Sequence, residues 1–364
     1  MSAIVCLSHR EDVDGILSAA LIKAAFKTKT TTIILADYAN IISRLQRIAN
    51  ISDSINPSPP SSSPPSSTSS SYSLYKKDNK RDHQVGRLFI CDLGLSSKNQ
   101  QKFVSLLKEI ISNGVKVTYI DHHDINNEIA KDLKKIGVAL IHSIEECTSV
   151  QIYNKFKRKL NNSHAAFFAA SAALTDYMES RPLASSIMSR YDRQFLMLEA
   201  TALSYMISSN QNNEEFLVKT VETLAQMKFP HEIEGGFTIA ERYAKKVSEA
   251  VKSVEASIIT KKNVAYTRTT GDLSASVIVN FVLGISQKPV AMVFKAKEDI
   301  NSYIISIRGS KDCQVHLGRI VNEVASNVGG SGGGHERASG AVVPKDKLEE
   351  FIDSVDKRVV VFNT

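Results

Sequence analysis

Carboxylates and imidazoles gather at four points of this 364-residue chain: His9, Asp12 and Asp14 in HREDVDG, Asp92 in CDLG, the run Asp121-His122-His123, and Asp176 in ALTDY. Oxygen and imidazole nitrogen donors without thiolate suit a hard to borderline divalent ion such as Mn2+. Two such ions, ~3.5–4 Å apart, can share a bridging carboxylate, activate a water between them and neutralise a phosphate. Any one of these aspartates taken alone reads as a helix cap or a turn former. Their arrival at a single rim would make them a site, so the elements that carry them matter most.

Those elements alternate. Short apolar runs at 3–8, 31–37, 87–93, 115–121 and 138–143 read as strands, and helical spacing follows at 15–26, 39–49, 97–114 and 126–137. Strand and helix in alternation predict a parallel sheet covered on both faces, whose ligands sit at the strand C-terminal ends. His9, Asp12 and Asp14 follow the first strand, Asp92 the third and Asp121 to Asp124 the fourth. Helices are expected near 148–160, 163–178, 190–208 and 214–227, the second of them delivering Asp176. The expected division is a metal-binding domain over 1–230, a connector helix within 231–258 and a smaller α/β domain over 259–364. Within the first domain, residues 54–71 are ten serines, five prolines and three others, too polar to offset their ordering entropy. With the basic stretch after them they predict a disordered insertion at about 53–84 that is tolerated on the surface.

In the smaller domain, strands are expected at 263–268, 289–296, 302–308 and 340–343, and helices at 274–284, 313–327 and 346–355. Five of the 17 glycines cluster as Gly329, Gly330, Gly332, Gly333 and Gly334, ahead of His335 and Arg337. Composition alone would make this a linker. Its place between a helix and a strand inside a domain instead predicts a loop whose backbone N–H groups approach an anion. Arg308, at a strand end shortly before, reads either as a surface ion-pair former or as a planar grip on two oxygens of an anion. His83, His142, His164, His231 and His316 stand alone and are read as surface or packing residues.

Taken together, His9-x-x-Asp12-x-Asp14-Gly15, Asp92-Leu93-Gly94, Asp121-His122-His123 and Thr175-Asp176 resemble motifs I to IV of the DHH phosphoesterase superfamily, and Gly332-Gly333-Gly334-His335 resembles the GGGH motif of the DHH-associated C-terminal domain. The resemblance covers nearly the whole chain apart from the Ser/Pro insertion and points to the RecJ-like nuclease and nanoRNase group. It implies an N-terminal parallel-sheet domain and a smaller C-terminal α/β domain with the active-site cleft between them. It also implies two Mn2+ ions, with Mg2+ as a substitute: one held by His9, Asp12 and Asp92, the other by Asp14, Asp92, His122 and Asp176. Glu11 is the neighbouring alternative to Asp12, and the D-x-D-G pattern favours Asp12. His123 would face the substrate phosphate and Asp121 would orient the neighbouring imidazole, while Arg308, Gly332, Gly333, Gly334 and His335 would bind the substrate.

Composition narrows the reading. Lys+Arg 45 against Asp+Glu 38 gives +7, a mild excess that suits an anionic partner without marking a polycation. No apolar run is long enough to span a membrane, the N-terminus lacks secretory features, and four scattered cysteines predict a reducing cytoplasm. With Trp absent and aromatics at 7%, short single-stranded oligonucleotides or small nucleotides are the expected substrates, rather than long strands tracked by stacking. The expected activity is that of a Mn-dependent phosphodiesterase, an exonuclease or nanoRNase. The alternatives are a phosphatase of 3′-phosphoadenosine 5′-phosphate, a cyclic dinucleotide phosphodiesterase, or a non-catalytic RecJ-like subunit of a replication or repair complex. A homodimer and replication or repair proteins complete the expected partners.

Overall fold

The computed structural model describes residues 3–53, 85–96, 98–271 and 273–359, and of residues 51–53 the backbone only. The Ser/Pro-rich insertion and His83 lie outside the described residues. The chain divides into two compact units, Met1–Ala240 and Glu241–Thr364.

The first unit is a five-stranded parallel sheet. Its strands β1 (Ala3–His9), β2 (Thr31–Ala36), β3 (Val85–Cys91), β4 (Lys116–Asp121) and β5 (Ala139–His142) lie in the order β2-β1-β3-β4-β5. Helices α1 (Val13–Ala25), α2 (Ile41–Asp53), α3 (Gln100–Ser112) and α4 (Asn127–Lys135) connect successive strands. Helices α5 (Thr148–Phe156), α6 (Ser163–Thr175), α7 (Pro182–Met188), α8 (Arg193–Ser209) and α9 (Glu214–Ala225) follow β5. One face of the sheet, through Ile4, Cys6 and Phe89, packs with α1, α5, α6, α8 and α9. The other, through Val5, Leu7, Leu88 and Ile90, packs with α2, α3 and α4. Strands buried on both faces explain the unbroken apolar runs of the sequence. Helix α1 is buried around its whole circumference because it lies between the sheet and further helices.

Helix α7 has no counterpart among the sequence expectations. It is only seven residues long, too short for its period to register. Pro182 opens it and the Glu146 carboxylate accepts from the amides of Leu183 and Ala184 at 2.6 and 3.1 Å, capping its start.

Helix α10 (Gly236–Glu255) precedes the second sheet. That sheet is mixed, with β6 (Ile259–Thr260), β7 (Val264–Arg268), β8 (Val290–Lys297), β9 (Ser302–Gly309), β10 (Ser331–Gly334) and β11 (Ala338–Pro344) in the order β10-β11-β9-β8-β7-β6. Only β7 and β8 run parallel. Helix α11 (Ala275–Ser286) covers Ala291 and Val293 on one face; α12 (Leu317–Asn327) and α13 (Leu348–Arg358) cover Met292, Ile305 and Ile307 on the other.

Two expectations are corrected here. The glycine run is a strand of a hairpin rather than a loop, since Ser331 to Gly334 pair with Val342 to Ser339. Without side chains such a strand lies flat under α12, and it carries no alternation for a sequence pattern to reveal. Helix α12 starts at Leu317 instead of 313, because His316 sits at its N-cap and its ring nitrogen accepts from the Arg319 amide at 3.3 Å. No helix of the described residues is long and apolar enough to cross a membrane.

Candidate metal centre

In a sheet ordered 2-1-3-4-5 the winding direction reverses between β1 and β3, which opens a crevice beyond their C-terminal ends. Strand β1 runs into His9, and the chain turns at once into α1. Asp12 is the N-cap of that helix, accepting from the Gly15 amide at 2.9 Å, while its other oxygen faces His9 Nε2 at 3.4 Å. The cap reading and the site reading of Asp12 therefore hold together. Glu11 stands farther off, at 4.0 Å from the same nitrogen. Strand β3 delivers Asp92, whose backbone takes φ 58°, a left-handed conformation uncommon outside glycine. The Asp92 amide is tied to the Ile120 carbonyl at 3.0 Å. Strand β4 delivers Asp121, then His122 and His123, and Asp176 ends α6.

These elements bring Asp14, Asp92 and His122 together, with donor atoms within 4.8 Å of one another. His122 Nε2 lies 3.3 Å from Asp92 Oδ1, 3.4 Å from Asp176 Oδ2 and 4.0 Å from Asp14 Oδ2. Asp14, Asp92 and His122 are buried, and Asp176 is one-fifth exposed. His9 and Asp12 form a neighbouring pair, near enough for the Asp12 charge to act on Asp92.

Burial, then the charges of Asp14 and Asp12, push the Asp92 carboxyl well above the usual range. Burial likewise raises Asp176, outweighing the lowering effect of His122. Burial alone would lower His122, but Asp176 and Asp14 raise it. Asp121 behaves differently. Burial works to raise it, yet His123 Nδ1 at 2.9 Å and the Tyr119 hydroxyl at 3.0 Å hold its carboxyl below the usual range.

A divalent cation fits the first group. Its donors are oxygens and imidazole nitrogens, its carboxylates repel one another when ionised, and His9 Nδ1 and Asp176 Oδ2 are buried without a hydrogen-bond partner among the described residues. The model of the DHH family N-terminal domain matches residues 3–178, and that of the DHHA1 domain matches 261–360. The chain carries a DHH domain and a DHHA1 domain.

The chain has a sequence relative in the uncharacterized protein MJ0831 of Methanocaldococcus jannaschii, 32% identical over 174 residues, a match spanning 47% of this chain and 38% of that protein. The fold is similar to that of the PF0399 DHH domain, described as a member of the s1p family of ribosomal proteins: TM-score 0.65, 13% identity, 98% of this chain and 86% of that one. It is also similar to RecJ from Thermus thermophilus in complex with Mn2+, with TM-score 0.59, 10% identity, and coverage of 98% of this chain and 51% of that one. At such identities the likeness is one of fold.

Several residues of the DHH site escape a motif reading. The Thr148 and Ser149 amides, at the start of α5, each donate to an Asp14 carboxylate oxygen at 2.7 Å, and Thr148 Oγ1 donates to Asp92 Oδ1 at 3.1 Å. Cys147 lies beside Asp14 and Asp176, and burial pushes its thiol well up, which keeps it neutral. Tyr38, in the turn after β2, sets its hydroxyl 3.0 Å from His123 Nε2. His142 meets the His123 carbonyl at 2.6 Å, and Gln151 donates to the Asp121 carbonyl at 3.1 Å. Gly94 permits the packing of this corner, because a Cβ there would come within 2.8 Å of the His123 ring. In sequence, the Thr148-Ser149 pair and Gln151 have no spacing that separates them from an ordinary helix start.

In the DHHA1 domain Arg308 lies on β9 opposite Ala338 of β11, while Gly332, Gly333 and Gly334 belong to β10. Arg308 and the exposed His335 thus share one end of the mixed sheet. The His335 amide donates to the Ala338 carbonyl at 2.8 Å, and its own carbonyl accepts from the Gly318 amide at 3.0 Å. Of the remaining histidines, His164 meets the Met227 carbonyl at 2.5 Å and His231 meets Glu199 at 2.5 Å.

Proposed function

We propose that this chain is a divalent-metal-dependent phosphodiesterase that trims short single-stranded oligonucleotides as an exonuclease. The observation that carries the reading is the convergence of Asp14, Asp92, His122 and Asp176, with His9 and Asp12 beside them, in the β1/β3 crevice. His9, Asp12 and Asp92 would hold one ion and Asp14, Asp92, His122 and Asp176 the other, with Mn2+ or Mg2+ as the ion. Bound there, such ions supply charge neutralisation at a phosphate and lower the pKa of water.

The chain's own residues supply the rest. Thr148 and Ser149 fix Asp14 through main-chain donors, so that ligand is in place before any ion arrives. Asp92 turns Oδ1 towards both His122 Nε2 and the Thr148 hydroxyl, at 3.3 and 3.1 Å. Asp121 orients His123 on the substrate side of the cluster. In the DHHA1 domain, Arg308, Gly332, Gly333, Gly334 and His335 are proposed to bind a terminal nucleotide or phosphate, which favours substrates that end rather than pass through. The four buried, unpaired cysteines suit a reducing compartment such as the cytoplasm.

The test is a product time course on end-labelled RNA and DNA of several lengths with Mn2+, Mg2+ or chelator, beside a cyclic dinucleotide and 3′-phosphoadenosine 5′-phosphate. Stepwise shortening from one end, lost with chelator, is expected. Cleavage confined to one of the small nucleotides replaces the exonuclease by that activity, and no cleavage with either ion overturns the hydrolase reading.

A further inference from the structure

His123 has both ring nitrogens engaged within the DHH domain. Nδ1 faces Asp121 Oδ1 at 2.9 Å, and since an ionised carboxylate can only accept, Nδ1 carries the proton of that bond. Nε2 stands 3.0 Å from the hydroxyl of Tyr38. Nε2 is thereby spent on Tyr38 whichever of the two carries the proton of that contact, so the ring keeps no uncommitted donor to aim at a phosphate oxygen, itself an acceptor.

Tyr38 has the group that His123 lacks. Its ring packs on His9, with centroids 4.8 Å apart, and stands edge-on to His123 at 6.0 Å and 81°. Tyr38 as a residue is 44% exposed, whereas the His123 side chain is 23% exposed and Asp92 and His122 are buried. Tyr38 is thus the more solvent-accessible of the two residues. The phenol end nonetheless reaches inward far enough to feel Asp92, Asp12, Asp121 and Asp176. Its backbone is firmly set: Asp37 Oδ1 accepts from the amides of Ala39 and Asn40 at 2.9 Å each, and the Asp37 amide donates to Asn40 Oδ1 at 3.0 Å.

We propose that Tyr38 is the residue through which the DHH domain contacts a nonbridging oxygen of the scissile phosphate. Its hydroxyl turns from His123 Nε2 to that oxygen, and Asp121 and His123 serve as the positioning residues that hold the hydroxyl in place beforehand. Where the phenol donates to Nε2, the exchange is one hydrogen bond for another, and the partly exposed His123 takes its replacement from water; where Nε2–H donates to the phenol oxygen, the phenol O–H is already free to turn to the phosphate. A phenol suits this role because it donates without bringing a further charge to a crowded cluster. The assignment rests on the phosphodiester reading above and names the group on the substrate side of the same site.

Tyr38→Phe in the full chain removes the hydroxyl and keeps the ring on His9. The probe is a trinucleotide with uncleavable methylenephosphonate linkages, its binding followed by calorimetry in the presence of Mn2+. Tyr38→Phe should lower probe affinity about tenfold or more, with Mn2+ affinity measured without probe unchanged within about twofold. His123→Gln should also weaken the probe, and the double variant should lose no more than Tyr38→Phe alone, because one residue acts through the other. Probe affinity equal to wild type in Tyr38→Phe overturns the assignment, as do losses that add in full in the double variant. Intact turnover with unchanged Tyr38→Phe binding sinks Tyr38 and spares the phosphodiesterase. A wild-type chain that cleaves no phosphodiester, yet loses probe affinity in Tyr38→Phe, sinks the hydrolase and keeps the contact.

Discussion

The crevice of the DHH domain and the glycine hairpin of the DHHA1 domain are built on opposite terms. The crevice concentrates charge: buried acids and imidazoles stand within a few ångströms of one another, and two of the acids are pushed well above their ordinary range. The hairpin removes side chains, so that β10 presses on α12 through bare backbone. A Cβ on Gly318 would lie 1.9 Å from the Gly334 carbonyl oxygen, and Gly334 itself adopts φ +141°. The first region should be sensitive to the loss of a carboxylate and indifferent to small changes of volume. The second should be sensitive to a single added methyl.

The largest expected effect falls on the crevice. Asp92→Ala should lower kcat by ~10³-fold or more and weaken occupancy of both ion positions, read by steady-state kinetics and Mn2+ calorimetry. Activity close to wild type would remove Asp92 from the shared position. In the hairpin, Gly318→Ala should lower stability by about 2 kcal/mol in urea unfolding, because the methyl must push β10 away from α12. If the variant unfolds like wild type, that contact is looser than the geometry states.

A third outcome concerns pH. Asp92 and Asp176 have raised folded-state values, so above the ordinary carboxylate range the folded chain retains protons that the unfolded chain releases. His122 and His123 are raised as well, and their contribution is fully present below about pH 6.5 and fades as pH climbs through their folded values. Both effects have the same sign. Asp121, held low, contributes above its unfolded value and loses that contribution only at strongly acidic pH. The chelated protein should therefore lose thermal stability from mildly acidic to alkaline pH, by about 3 °C or more, and saturating Mn2+ should flatten the slope. A metal-free melting temperature that climbs over this window would contradict the crowding. The smallest effect belongs to His335→Ala, expected to raise KM for oligonucleotides about tenfold with Mn2+ affinity unaltered. Unchanged kinetics would take the DHHA1 hairpin out of substrate binding.

How legible each region was in the sequence follows from the same contrast. The crevice was visible because strand ends in a parallel sheet share one rim, so Asp14, Asp92 and His122 could be aligned without coordinates. Tyr38 and Thr148 were not visible, since each acts across 85 or 56 positions of chain through a single hydrogen bond. The hairpin was misread as a loop because glycine has no side chain with which to display a strand's two-residue period. Helix α7 and the two-residue β6 are simply shorter than any pattern that would announce them.

Asp14 carries one further consequence. Both of its oxygens are already clamped by main-chain donors at 2.7 Å from the first turn of α5, so this carboxylate cannot swing between one- and two-toothed binding. Calcium prefers six to eight oxygens at about 2.3–2.6 Å and tolerates adjustable walls, whereas magnesium demands about 2.0–2.1 Å. Under the proposed two-ion reading, a cage with one wall held this firmly would discriminate by ionic radius, and calcium binding weaker than that of magnesium or manganese is the expected result.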